Sequence, residues 1–256
     1  VKGVDSSVRK RKTLTGQPIL TAVKGNNDDI FPGALRIYLP SASQVVDVTW
    51  GKGNFWTPDL EQEYRIIRND FMPLPGIDLQ SSCVNIPFAD GVFDGVVFDP
   101  PYLSSTGHSR QKMSDLARSM NEQYQTLGTT TFKSVDDVLS FYLAGIREAY
   151  RILRRYGVLF VKCQGAIESA RQYWTLFNLK ERVEDLGFQL EDLFVLVRNG
   201  HSPVGWDYQC HAKRNHSWLM VFVKNEGHPV VWGKVSAHRY VWKARRRDKH
   251  EQLALL

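Results

Sequence analysis

The sequence predicts an α/β protein built on a doubly wound, mostly parallel sheet. Short apolar strands alternate with amphipathic helices along most of the chain. Several strands end abruptly in turns rich in Gly, Asp or Pro. The last two apolar strands have no helix between them, so they are expected to pair antiparallel at one edge.

Taken in order, residues up to about Asn27 are polar and basic with weak periodicity, and 1–28 reads as an N-terminal arm. Asp29 to Tyr38 has the pattern of a short helix leading to Pro40. Val45 to Val48 is a β-branched run that enters the Gly-containing turn Asp47–Gly53. Tyr64 to Arg68 forms a second strand, closed by Asn69-Asp70, and Phe93 to Phe98 a third, closed by Asp99-Pro100-Pro101. The polar segment 103–133 is longer than an ordinary connection, so it reads as a mobile, functional loop.

Ser134 is then an N-cap with Asp137 three residues on. Val135, Val138, Leu139, Tyr142, Ile146, Ala149 and Leu153 recur at helical steps, and Gly157 is expected to stop that helix. Val158 to Val161 is another apolar strand. Tyr173, Leu176, Leu179, Val183 and Leu186 mark a second amphipathic helix ending at Gly187. Leu193 to Val197 and Trp218 to Val223 complete a domain expected over 29–224, followed by a basic segment over 225–256.

Bulk properties narrow the class. The 256 residues are 43% apolar and 23% charged, which suffices for a sizeable core and argues against global disorder. Cys83, Cys163 and Cys210 are odd in number and widely spaced, so they suggest neither a disulfide framework nor a zinc site, and a reducing cytoplasm suits them. No apolar run reaches membrane-spanning length and no signal peptide opens the chain. The net charge is +6, yet His211 to His250 alone holds ten Lys and Arg against two acids. Trp232, Tyr240 and Trp242 are interleaved with those cations, a mix that can follow a phosphate backbone and stack on bases.

The most informative segment is Asp99-Pro100-Pro101-Tyr102, directly after a buried strand. Ligands of open α/β sheets bind beyond the carboxyl ends of the strands. Two prolines stiffen the turn and leave carbonyls that accept hydrogen bonds. A carboxylate, rigid carbonyls and an aromatic face thus converge, a set that suits an amino group on a flat ring. Upstream, Gly51 and Gly53 let the backbone approach a ligand after another strand.

These segments resemble the DNA amino-methyltransferases, whose signature is (Asp/Asn/Ser)-Pro-Pro-(Tyr/Phe/Trp). Asp47-Val48-Thr49-Trp50-Gly51-Lys52-Gly53 is similar to their cofactor loop, although Thr49 replaces the common Phe and Trp50 a small residue. The likeness spans about Asp29 to Lys224, with the cofactor motif first, an order close to the γ arrangement of small solitary phage or prophage enzymes. It implies a Rossmann-like class I methyltransferase fold with S-adenosyl-L-methionine as cofactor. It also implies transfer of a methyl group to an exocyclic base amine in DNA, adenine N6 before cytosine N4. Asp47, Val48, Thr49, Gly51 and Gly53 would form the cofactor loop, Asp70 would bind the ribose, and Asp29 and Phe31 would lie over the methionine end. The family often has a further Asp for the adenine amine, and here Ser82 or a main-chain N–H stands in its place.

In such a mechanism Asp99 and the Pro100 carbonyl accept the N–H bonds of an extruded base that stacks on Tyr102. DNA contacts are expected from Lys213, Arg214, Asn215 and His216, and from Arg245, Arg246 and Arg247 in the C-terminal segment. No metal is needed, and His211 and His216 read as DNA contacts or packing. An RNA base methyltransferase and a non-catalytic DNA-binding protein of the same fold are the alternatives, and the intact 99–102 motif argues against the latter.

Overall fold

The computed structural model describes residues 18–100, 132, 134–168, 171–198, 211–212 and 214–225. Its strands are β1 (Ala22–Lys24), β2 (Gln44–Asp47), β3 (Arg65–Asp70), β4 (Leu79–Gln80), β5 (Phe93–Phe98), β6 (Leu153–Cys163), β7 (Ala166–Glu168), β8 (Arg171–Tyr173), β9 (Phe188–Val197) and β10 (His216–Lys224). The helices are α1 (Asn27–Tyr38), α2 (Pro58–Glu63), α3 (Val135–Ile152) and α4 (Thr175–Glu184).

The main sheet has the order β4-β3-β2-β5-β6-β10-β9-β1, and β7 with β8 forms a separate two-stranded hairpin. Strands from β4 through β6 run parallel, while β10 is antiparallel to both β6 and β9. The expected antiparallel pair is therefore present, with β10 inserted between β6 and β9. Outside it lies β1, parallel to β9, so 22–24 of the expected arm belong to the sheet. Pairing with β9 creates this strand: Val195 N–H donates to the Thr21 carbonyl and Gly25 N–H to that of Val197.

The central strands are apolar on both faces because helices cover both. On one side α1 and α2 pack Ile30, Phe31, Leu35 and Leu60 over Val45, Val97, Val158, Phe160, Leu219 and Val221. On the other, α3 and α4 pack Leu139, Tyr142, Ile146, Leu179 and Val183 over Val46, Val96, Leu159, Val161 and Met220. The Ser134–Asp137 capping box is formed as expected, with Asp137 N–H donating to Ser134 Oγ at 3.1 Å and Ser134 N–H to Asp137 Oδ2 at 3.0 Å.

Gly157 does not end α3. The helix closes at Leu153, which turns extended and starts β6, so Gly157 lies within a strand. Likewise α4 ends at Glu184, before Gly187, and Tyr173 belongs to β8. No helix among the described residues is long and apolar enough to cross a membrane.

Candidate active site

Four parallel strands deliver the candidate residues to one edge of the sheet, with Asp47, Asp70, Asp99 and Lys162 all at or near strand ends. Asp47 is buried, and its oxygens accept from Thr49 N–H at 3.0 Å and Trp56 Nε1–H at 2.8 Å. Burial pushes this carboxyl up to about 7, against the pull of those two donors, and the charges of Asp99 and Asp70 push the same way. Asp47 thus ties the loop to itself.

Asp70 was expected in a turn, yet it is the last residue of β3. Its oxygens accept from Gly51 N–H and Met72 N–H, each at 2.8 Å. Each retains a second lone pair for a hydroxyl donor. Asn69 is fully buried and clasps three segments, donating to the carbonyls of Val48 (3.2 Å) and Ser81 (3.1 Å) and accepting from Ser81 Oγ–H (2.7 Å). A narrow cleft opens beside this clasp, lined by Val48, Thr49, Asp70, Phe71, Ser82, Cys83 and Phe141.

The two glycines of the loop differ. Both take left-handed φ, 57° at Gly51 and 68° at Gly53. A methyl group on Gly53 would meet the Trp50 ring at 2.8 Å, whereas one on Gly51 would meet only the Thr49 carbonyl at 3.8 Å. Trp50 itself stacks on Trp56, with ring centres 6.2 Å apart, and Arg68 lies over its face. Gly53 therefore makes room for the unusual tryptophan, and Gly51 leaves open space.

Thr49 joins the loop to the second motif, because its Oγ1 accepts from Asp99 N–H at 2.8 Å. Asp99 follows β5, and its Oδ2 is 3.9 Å from the Nζ of buried Lys162. Its Oδ1 is buried and has no hydrogen-bond partner among the described residues. Burial pushes the Asp99 carboxyl up, while Lys162 and then Arg198 pull it down. Lys162 donates to Asn27 Oδ1 at the start of α1, and its ammonium lies over the Phe55 ring. Pro100 is buried beside Asp99; Pro101 and Tyr102 lie outside the described residues.

Two residues expected at the cofactor have partners within the protein. Phe31 is fully buried among Phe55, Trp56 and Phe160, so it supports the core beneath the site and offers no ligand face. Asp29 accepts from Asn26 N–H at 2.8 Å as the return half of a capping box on α1. Phe132, expected at the end of a mobile loop, is buried against Phe141, and the rest of 103–133 lies outside the described residues.

The segment before β10 does reach the same edge, since β10 enters the sheet antiparallel with Trp218 opposite Cys163. Gln164 Nε2–H donates to the His216 carbonyl at 2.7 Å, and the His216 ring meets Trp218 edge-on. Arg214 is half-buried against Gly165, with Nη1 lacking a partner among the described residues, and Asn215 is exposed. Lys213 and Arg245, Arg246 and Arg247 lie outside the described residues. Cys83 and Cys163 are free and buried, and no cluster of three metal-ligating side chains occurs among the described residues.

No protein-family model matches the chain, and no characterised protein matches it by sequence. Solved structures do. The Burkholderia thailandensis 1,6-didemethyltoxoflavin-N1-methyltransferase, solved with S-adenosylhomocysteine, is 14% identical with a TM-score of 0.44 over 78% of this chain and 76% of its own. A SAM-dependent methyltransferase from Methanosarcina mazei is 13% identical with a TM-score of 0.45, over 75% of this chain and 97% of its own. A TehB-like SAM-dependent methyltransferase from Corynebacterium glutamicum is 15% identical with a TM-score of 0.43, over 78% of this chain and 88% of its own. These likenesses concern the fold. The strand order, with one antiparallel strand inserted beside β6, is that of a Rossmann-like class I methyltransferase.

Proposed function

We propose that the chain transfers a methyl group from S-adenosyl-L-methionine to the exocyclic amine of a base in DNA, adenine N6 before cytosine N4. One observation carries the reading. Asp99 directly follows a central strand with a buried carboxylate oxygen that lacks a donor among the described residues, and a proline comes next. A buried acceptor without a partner costs about 1–3 kcal/mol, so it is retained where a ligand satisfies it. An amine N–H is such a donor, and the Pro100 carbonyl offers a second acceptor beside it.

The cleft beside β2 and β3 has the chemistry for an adenosyl group. Asp70 retains lone pairs for the ribose hydroxyls, Ser82 supplies a hydroxyl, and Val48, Phe71 and Phe141 supply apolar walls. When bound there, S-adenosyl-L-methionine supplies an electrophilic methyl group. Thr49 connects cleft and turn through a single hydrogen bond, which fixes their spacing. Asp99 accepts an amine proton in a hydrogen bond and draws the nitrogen out of conjugation with its ring. Arg214 and Asn215, which precede β10 at the same edge, would contact the flanking polynucleotide.

Transfer of tritium from labelled S-adenosyl-L-methionine to duplex DNA, single-stranded DNA and tRNA tests this, with each product digested to nucleosides. Label in N6-methyldeoxyadenosine is expected. Label in N4-methyldeoxycytidine corrects the base, and label in RNA alone corrects the polymer. Absence of label in all three contradicts the reading.

A further inference from the structure

We infer that Lys162 is a positioning residue that keeps the Asp99 carboxylate ionised and anchors its Oδ2 side, leaving Oδ1 for the incoming amine. This rests on the function proposed above and adds a residue to it. Lys162 is only 3% exposed in its side chain, on a strand whose neighbours are otherwise apolar. A buried ammonium is costly unless it is paired and hydrogen-bonded. Its hydrogen bond goes to Asn27, a neutral amide at the start of α1, and the Phe55 ring lies 5.4 Å from it. The opposite charge that compensates it among these contacts is Asp99, at 3.9 Å.

The arrangement divides the carboxylate in two. Oδ2 faces the ammonium at ion-pair distance, and the Asp99 backbone is held by Thr49, so the side chain has little freedom to turn. Oδ1 is left buried without a donor among the described residues. With Oδ2 beside the ammonium, a proton on Asp99 would go to Oδ1 and make it a poorer acceptor, so the ionised form is the one suited to the amine. Burial opposes ionisation, and the other charged groups around Asp99 among the described residues are Arg198 after β9, which favours it, and Asp47 at the end of β2, which repels the Asp99 carboxylate. Cys163, the next residue on β6, has its thiol pushed up by burial and stays neutral. Of the charges that hold Asp99 down, that of Lys162 acts most strongly.

The test uses K162M, K162Q and K162R in the full chain. K162Q retains a donor for Asn27 while removing the charge, and K162R retains the charge. The Asp99 carboxyl is titrated by carbon-13 NMR of aspartate-labelled protein, its resonance identified by loss in D99N. Methyl-transfer rate is followed over the same pH range. In K162M or K162Q, whichever folds, the Asp99 midpoint is expected to rise by about 1–3 pH units. The acidic limb of the rate profile should move up with it, and activity at high pH should return toward the parent. K162R should restore most of the parental profile. A folded, charge-free variant with the parental Asp99 midpoint overturns the inference. A raised midpoint in a protein whose parent labels no nucleic acid instead preserves the Lys162–Asp99 link and sinks the proposed function.

Discussion

At the ends of β2 and β3, Asp47 and Asp70 place all four carboxylate oxygens on donors from the segments that follow these two strands, Gly51 of the first loop reaching across to Asp70. Just after β5, Asp99 has one oxygen beside Lys162 and one buried oxygen without a donor among the described residues. The three acids sit at the same edge of the same sheet, yet they do different work. Paired carboxylates shape the backbone, so Asp47 and Asp70 set the course of the loop at 47–53 and the mouth of the cleft. On the proposed function, Asp99 differs in keeping a whole oxygen for the amine of the substrate. Burial raises both Asp47 and Asp99, so the direction of a pKa shift does not separate them, whereas the accounting of donors does.

That contrast predicts effects of different size. The largest belongs to Asp99: D99A should lower methyl transfer by about 100-fold or more, the scale of losing one preorganised polar contact in a transition state. Cofactor affinity by calorimetry should stay within about twofold of the parent, because the proposed function gives Asp99 to the amine and not to the cofactor. A matching fall in affinity would merge the two regions into one. A smaller effect separates the glycines. G53A strains a left-handed position and drives a methyl group into the Trp50 ring, so urea unfolding should show a loss of about 2 kcal/mol. G51A meets open space and should cost about 1 kcal/mol of stability, from backbone strain alone. Its cofactor affinity should nevertheless fall further than that of G53A. The reverse order would assign the open space to something other than the ligand.

Much of this scaffold was legible in the residues. β5 has its expected bounds because an uninterrupted apolar run meets Asp-Pro-Pro, and α3 begins where Ser134 and Asp137 say it must. The clustering of Asp47, Asp70 and Asp99 at one edge follows from strand alternation. What escaped the sequence depends on partners distant along the chain. β1 exists because β9 supplies donors and acceptors about 170 residues away in the numbering of its register, Ala22 against Val195. Lys162 meets Asn27 across a comparable span. Asn69 reads as a turn former and is in fact a buried clasp, because β3 runs two residues further when β4 pairs with it. Asp29 is a different case. Asn26 and Asp29 at three-residue spacing carry a local capping signal, and the structure forms that contact. The resemblance aligned Phe31 with a cofactor face, but the periodicity of α1 turns it into the core.

The most direct test of where the two functions lie is a crystal structure of the protein with S-adenosylhomocysteine. The adenosyl group is expected in the cleft lined by Val48, Asp70, Phe71 and Ser82, with its ribose hydroxyls on Asp70 and Asp99 Oδ1 still free to receive an amine. A larger open groove of about 400 Å³ between residues 18–24 and α1 offers a competing location, lined by Ile19, Val23, Ile30 and Gly33. Density for the ligand in that groove, or a direct hydrogen bond from it to Asp99 Oδ1, would contradict the division between a cofactor cleft and an amine-accepting turn.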